Sequence, residues 1–301
     1  MWVHFRKVLI LKKLGQITVA GIGLLGGSIG RAVLQSFSGV KVVGYTHRAS
    51  TRRKARELGV ASEMVSDIKR GVSGADLVIL ATPICTFEEY FGEMADSLQS
   101  GCIVTDVGST KVLPHRWAAC RLPSNVHYVG SHPIAGSEQR GIEFARDDLF
   151  EDALCILTTT AETNRLAVQT LKAFWGRLGC VVKTMKPGEH DRIFGNVSHL
   201  PHVVAAALVN ANKSEEMKLA GRGFMDGSRI ASGPVNVWAD ILLTNAGNIV
   251  KGIDRIICEL SKLRTAVESG ERMRVERLLE NARRKRSEVM KYKMKRKELI
   301  P

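Results

Sequence analysis

The sequence predicts an α/β fold, a doubly wound sheet followed by an all-helical C-terminal domain. Three observations predict it. Short apolar runs alternate with amphipathic stretches over the first part of the chain, a glycine-rich turn links the first run to the first helix, and the strand signal stops past Pro187. The 301 residues suffice for two modest domains, so the expected division is 1–187 and 188–301.

The elements follow in order. QITVAGIGLLGGSIGRAVLQSF reads as a strand, a tight turn and a helix in which Ile29, Val33 and Leu34 keep helical spacing. VKVVGYTH is a second strand, Thr51 to Leu58 a basic helix, and ADLVILATP a continuous apolar run of the kind buried in parallel sheets. A helix near Glu88 to Leu98 leads to the strand CIVTDVGS, and after another helical piece VHYVGSHP reads as one further strand. ALCILTTT and CVVKTM read as later strands around a helix of residues Asn164 to Leu178. From Glu189 to Glu298 the pattern is helix after helix, with breaks at Gly221 to Gly227 and Ser232 to Pro234.

Composition excludes several classes. With 45% hydrophobic and 25% charged residues the chain is neither disordered nor collagen-like. Its apolar runs fall short of the roughly 18 residues a membrane span needs, and VLIL near the start is too short for a secretory signal. Six cysteines (Cys85, Cys102, Cys120, Cys155, Cys180, Cys258) stand singly, without a CxxC pair, which fits reduced thiols in a cytoplasmic protein without a structural metal. The net charge of +14 invites a nucleic-acid partner, but residues 272–301 alone carry 12 Lys/Arg against 4 Glu. Such a run reads as the solvated face of a helix, so neither nucleic acid nor membrane is the expected partner. The remaining excess suits anionic small molecules.

Gly21, Gly23 and Gly26 form GxGxxG after a strand and before a helix. The first glycine permits the tight turn, the second lets backbone N–H groups approach a pyrophosphate, and the third permits close helix packing. The dinucleotide-binding domain of a Rossmann-type sheet is therefore expected over 1–187. Leu24 and Leu25 in the turn, and Thr82 and Pro83 at the end of ADLVILATP, belong to the same expected cofactor site. At the tip of the second strand, where NAD sites usually carry an acidic residue, stands Thr46, followed by Arg48, Ser50, Thr51, Arg52 and Arg53. No carboxylate repels a 2′-phosphate and several cations can bind one, which favours NADP and keeps NAD as the alternative. The competing reading is that these arginines only decorate an exposed helix start.

Three polar motifs fall where such sheets place chemistry: DVGSTK (Asp106 to Lys111), GSHPIAGSEQRG (Gly130 to Gly141) and HDRIFGNVSHLPH (His190 to His202). His132 can be a capping or core histidine, yet its place at a strand end beside Pro133 and Gly136 favours a site. Ser109 can equally be a helix N-cap. His199 and His202, three apart on an apolar helix, share one face; a metal is the sharper alternative, but a third ligand of suitable spacing is not evident.

GIGLLGGSIG, DVGSTK, SHPIAGSE, FEDALCILT, SHLPHVVAAAL and DGSRIASGPVNVW together resemble the prephenate and arogenate dehydrogenases of tyrosine biosynthesis, over nearly the whole chain. The resemblance implies an NAD(P)-binding domain, a helical 188–301 domain that forms a homodimer, and oxidative decarboxylation of prephenate, with the amino acid arogenate as the alternative substrate. It implies that His132 is the catalytic histidine on the ring hydroxyl, that Ser109 holds that histidine and the substrate, and that His202 and Arg229 bind substrate, Arg229 through a carboxylate. Ser137, Glu138, Asp226 and Trp238 fall at matching pocket positions. Arg229 also admits a surface salt bridge, and Asp226 an ion pair or a helix cap. Glu138 suits arogenate and Arg140 suits prephenate; the reading leans to prephenate. The chemistry agrees, because a neutral histidine can accept a hydroxyl proton near pH 7 and a guanidinium can hold a carboxylate bidentately. The competitors are a β-hydroxyacid dehydrogenase, expected to carry a lysine where this chain has His199 and His202, and a nucleotide-binding regulator whose basic tail contacts nucleic acid.

Overall fold

A computed structural model describes residues 14–135 and 139–295. Among them, β1 (Gln16–Ala20), β2 (Lys41–Tyr45), β3 (Glu63–Val65), β4 (Leu77–Leu80), β5 (Ile103–Asp106) and β6 (His127–Tyr128) form a parallel sheet in the order β3-β2-β1-β4-β5-β6. The strand order reverses between β1 and β4, and the crevice beyond the carboxyl ends at such a reversal is where doubly wound sheets bind ligands. The sheet is buried on both faces, which its residue alternation explains. Ile17, Val19, Val42, Leu77 and Ile79 point into one core, while Ala20, Val43, Val78, Leu80 and Val104 point into the other. Each such side chain contributes roughly 1.5–3 kcal/mol by leaving water.

Helix α1 (Leu24–Ser36) joins the first core through Ile29, Ala32 and Val33. α2 (Ala49–Glu57) buries only Ala55, as its run of basic residues requires, and α3 (Ile68–Val72) begins on the Asp67 carboxylate, which accepts the Lys69 N–H. α4 (Phe87–Met94) and α5 (Val112–Arg121) cover the second core, where Phe87, Phe91 and Met94 are fully buried.

Two features differ from the sequence reading. β3 was not expected, because three residues with a leading Glu63 carry too little periodicity to register. VHYVGSHP is not one strand. β6 closes the parallel sheet, whereas β7 (Gly130–Pro133) pairs antiparallel with β8 (Leu154–Thr158), which pairs parallel with β9 (Val181–Met185), so ALCILTTT and CVVKTM belong to a second, three-stranded sheet. The hand-over falls at Gly130, where a side chain would meet Thr158 Oγ1 at 2.6 Å and Lys111 Cδ at 2.9 Å. α6 (Arg165–Arg177) backs this sheet, with Phe174 and Trp175 buried and the indole N–H of Trp175 donating to Ser131 Oγ.

After β9 the described chain is helical. α7 (Pro187–Phe194) passes through a π-helical turn (Gly195–His199) into α8 (Leu200–Asn210), and α9 (Ser214–Met217), α10 (Arg222–Ser228), a 3-10 turn (Arg229–Ser232), α11 (Val235–Thr244), α12 (Ala246–Glu268) and α13 (Arg272–Lys295) follow. π-Helical turns inside helices often mark functional positions. The chain falls into two compact units, Met1–Asn248 and Ile249–Pro301. In the second, α13 is laced by ion pairs such as Arg272–Glu276 and Arg283–Glu280 along an exposed surface. Among the described residues no helix is long and apolar enough to cross a membrane.

Candidate active site

The glycine turn has the geometry a pyrophosphate requires. Gly21 adopts φ 97°, and a side chain there would meet the Ala81 carbonyl carbon and oxygen at 2.6 Å. A side chain at Gly26 would overlap the Gly21 carbonyl oxygen, whereas one at Gly23 would point into open space. Gly23 caps α1 without a side-chain hydrogen bond, so the first-turn N–H groups keep their donors for an anion. A groove of about 710 Å³ opens here, lined by Gly21, Gly23, Thr46, Arg48, Ser50, Thr51, Thr82 and Pro83, all from the sequence reading. Lys54, Tyr90 and Arg140 add to its walls, with Asn236 and Val237 from the start of α11. Leu24 and Leu25 instead pack on the first core. Arg52 donates to the carbonyls of Thr46 and His47 at 2.8 and 2.9 Å, bracing the β2 tip while Arg48 faces the groove. Lys54 pairs with Glu143 at 3.2 Å.

DVGSTK follows β5. Its Asp106 is fully buried and bonded three ways: Lys111 Nζ and the Gly108 N–H (2.7 Å) donate to Oδ1, and the Tyr128 hydroxyl donates to Oδ2 at 2.6 Å. Burial and the Asp106 carboxylate push the Tyr128 phenol well above its ordinary range. Lys111 is itself fully buried, a placement that only ionic pairing makes tolerable. The loop between is thereby pinned, and Thr110 Oγ1 donates to Thr244 Oγ1 in α11 at 2.9 Å.

His132 lies in β7 and is half-buried. Its Nδ1 stands 2.9 Å from His190 Nε2, and His190 Nδ1 stands 2.8 Å from Asp191 Oδ1. The same carboxylate accepts the N–H groups of Lys111 (2.7 Å, Oδ1) and Val112 (2.8 Å, Oδ2), at the start of α5. Phe194 covers both rings, 5.1 Å from His132 and 4.5 Å from His190 between centroids. Burial, then the neighbouring His190, Lys111 and His199, holds His132 well below the usual histidine range, and burial, then Lys111 and the neighbouring histidines, holds His190 at about 2. Both are neutral at pH 7. Burial raises the Asp191 carboxyl, against the downward pull of its two backbone N–H donors and Lys111.

Asn245 continues the network. Its amide donates to the Asp191 carbonyl at 2.8 Å and lies 3.2 Å from His199 Nδ1. His199 is buried and pushed down to about 4, chiefly by burial. Its ring meets Trp238 edge-on at 6.4 Å, and the other indole contact is His202, stacked at 3.7 Å with an 11° tilt. Among the described residues His202 Nδ1 is buried without a hydrogen-bond partner, an orphan that a ligand can satisfy. Trp238 follows directly on Asn236 and Val237, so the His202 stack adjoins the nucleotide groove.

The structure thus joins His132, His202 and Trp238 through a network whose middle members, His190, Asp191 and Asn245, were assigned no role from sequence. A signal existed in the adjacent His190–Asp191 pair opening a polar motif. Ser109 sits in the pinned DVGSTK loop, but the partner bonded to His132 is His190. Arg229 is exposed, in the 3-10 turn packed on α8. Asp226 is exposed too, 3.9 Å from Arg222, which supports the ion-pair alternative for it. Ser137 and Glu138 lie outside the described residues.

Residues 29–184 match the family model for the prephenate dehydrogenase nucleotide-binding domain, and residues 186–281 that for the prephenate dehydrogenase dimerization domain. The chain belongs to the prephenate dehydrogenase family. Within it, the chain is 38% identical over 259 residues to the prephenate dehydrogenase of Bacillus subtilis (84% of this chain, 70% of the relative) and 33% identical over 260 residues to the cyclohexadienyl dehydrogenase of Zymomonas mobilis (84% and 88%). Its fold matches the crystal structure of prephenate dehydrogenase from A. aeolicus in complex with hydroxyphenyl propionate and NAD+, with TM-score 0.86 and 32% identity over 92% of this chain and 99% of that one. Family membership favours a prephenate-type dehydrogenase over the β-hydroxyacid dehydrogenase and nucleic-acid regulator readings.

Proposed function

We propose that the chain oxidises prephenate to 4-hydroxyphenylpyruvate and carbon dioxide, with His132 accepting the ring-hydroxyl proton. The observation that carries this reading is His132 itself: a neutral imidazole at a strand end, bonded among the described residues through Nδ1 and linked by a chain of contacts to Trp238, which adjoins Val237 of the dinucleotide groove. The glycine turn fits a dinucleotide, since Gly23 leaves open space where a pyrophosphate would lie and the first turn of α1 is uncapped. When bound, that cofactor supplies the hydride acceptor. Gly21, Gly23 and the start of α1 would hold its pyrophosphate, and Thr46, Arg48 and Ser50 its adenosine ribose. With Arg48 and Lys54 on the groove wall and Thr46 at the β2 tip, NADP is favoured over NAD.

His202, with its orphan Nδ1, is a polar contact for the substrate, and Trp238 fixes its plane. Arg229 anchors a carboxylate, and Ser109 contacts the substrate from the loop pinned by Asp106 and Lys111. Arg140 on the groove wall supports the keto acid prephenate over arogenate. The dimerization-domain match over residues 186–281 supports a homodimer built on the helical region. Six free cysteines support a reducing, cytoplasmic setting. The test is a steady-state assay following the reduced nicotinamide, with prephenate and arogenate each against NAD and NADP. Fastest turnover with prephenate and NADP is expected; turnover with arogenate alone overturns the substrate assignment, and silence in all four overturns the function.

A further inference from the structure

We infer that His190 and Asp191 are positioning residues that lock His132 in the tautomer protonated on Nδ1, leaving the Nε2 lone pair to face the substrate hydroxyl. The inference rests on the reading of His132 as the proton acceptor and names what makes it competent. Each proton along the line of hydrogen bonds from Asp191 to His132 has one place to sit. Asp191 receives the Lys111 N–H on Oδ1 and the Val112 N–H on Oδ2, two donors at a helix start that favour the ionised carboxylate. An ionised carboxylate only accepts, so the 2.8 Å contact to His190 Nδ1 requires the proton on that nitrogen. With neutral His190 so protonated, its Nε2 carries a lone pair and accepts. The 2.9 Å contact to His132 Nδ1 then requires the proton on His132 Nδ1. A neutral imidazole with its proton on Nδ1 has its lone pair on Nε2, and each ring's hydrogen-bonding role is dictated by the one before it.

The opposite arrangement, with Asp191 protonated and both rings carrying Nε2–H, places a donor where an acceptor is needed. A His132 of that tautomer cannot take the hydroxyl proton. The consequence resembles the loss of the orienting carboxylate in a Ser-His-Asp triad, where the wrong tautomer costs about 10⁴ in turnover while the site keeps its shape. Phe194 and the buried setting of His190 hold the relay's geometry, so its effect falls on the chemical step and not on binding.

Two measurements test this. In ¹⁵N-histidine-labelled wild type, with signals assigned by the His132→Asn and His190→Gln variants, His132 and His190 should both show protonated Nδ1 and unprotonated Nε2. Nε2–H on either ring overturns the inference, and so does fast averaging between tautomers. In kinetics, His190→Leu should lower kcat about 10²-fold, a loss within the usual range for an acid/base group, with the KM values for prephenate and dinucleotide within about threefold of wild type. His190→Gln offers Oε1 as an acceptor at the Nε2 position and should recover at least a tenth of wild-type kcat. Unchanged kcat in His190→Leu, or Gln no better than Leu, overturns it. Should His190→Leu fail to fold, the Gln variant and the wild-type spectrum decide. An inactive wild type, or an unimpaired His132→Asn, counts against the proposed function, and the tautomer measurement still judges the relay.

Discussion

Lys111→Met probes the polar core under the site. Lys111 and Asp106 are both fully buried, and the ammonium is the only full positive charge bonded to that carboxylate among the described contacts. Removing one member of a buried pair typically costs about 3–5 kcal/mol, because the other charge stays desolvated. The Gly108 N–H at 2.7 Å and the Tyr128 hydroxyl at 2.6 Å remain on Asp106, which sets the expectation at the lower end, about 3 kcal/mol. For a chain of 301 residues that corresponds to a fall of about 5 °C in Tm, read by thermal unfolding at pH 7.5. Adding Asp106→Asn should recover at least half of the loss, since a neutral amide no longer needs the cation. The Lys111 charge also helps to hold His132 and His190 low, and with burial holds His115 at about 4. Without it these rings protonate more readily, so the acid limb of kcat/KM should move to higher pH. A Tm within 2 °C of wild type, with an unmoved acid limb, would refute the view that this pair supports the site.

Three further outcomes are expected. His132→Asn should lower kcat by about 10² to 10⁴ with dinucleotide affinity nearly intact, and because the wild-type ring is held well below the ordinary histidine range, wild-type kcat/KM should stay flat below pH 6.5, where an unperturbed histidine would already be losing its acceptor; an acid limb centred at 6.5 contradicts this. Arg48→Ala, measured by dinucleotide titration, should weaken NADP about tenfold, as loss of one charged hydrogen bond of about 1.4 kcal/mol implies, and leave NAD within twofold; equal losses remove the 2′-phosphate argument. Arg229→Ala should raise the prephenate KM about tenfold or more with a smaller change in kcat, and a normal KM takes Arg229 out of the site.

Parts of this molecule were legible in the sequence because their physics is local. The continuous apolar run that contains β4 read as a buried parallel strand, and Leu77 to Leu80 are all fully buried. Gly21, Gly23 and Gly26 announced a turn because side chains at two of the three positions collide with backbone. The hand-over at Gly130 was not legible, since VHYVGSHP has the same apolar pattern whether its two halves share a sheet or part. At that point the backbone runs close against Thr158 and Lys111, neither of them local to it.

The same distinction separates the site residues that were foreseen from those that were not. His132 and His202 stood out because polar groups at strand ends and on apolar helices are conspicuous wherever they fall, whereas Trp238 was named only through the family resemblance. His190 and Asp191 matter through a partner 58 positions away and through two backbone N–H groups about 80 positions away, separations that only the folded chain closes. Groups that meet a ligand are chosen for their chemistry, which one letter displays. Groups that orient them are chosen for where they stand, so a reading of residue types finds His132 and passes over the carboxylate that meets it through His190.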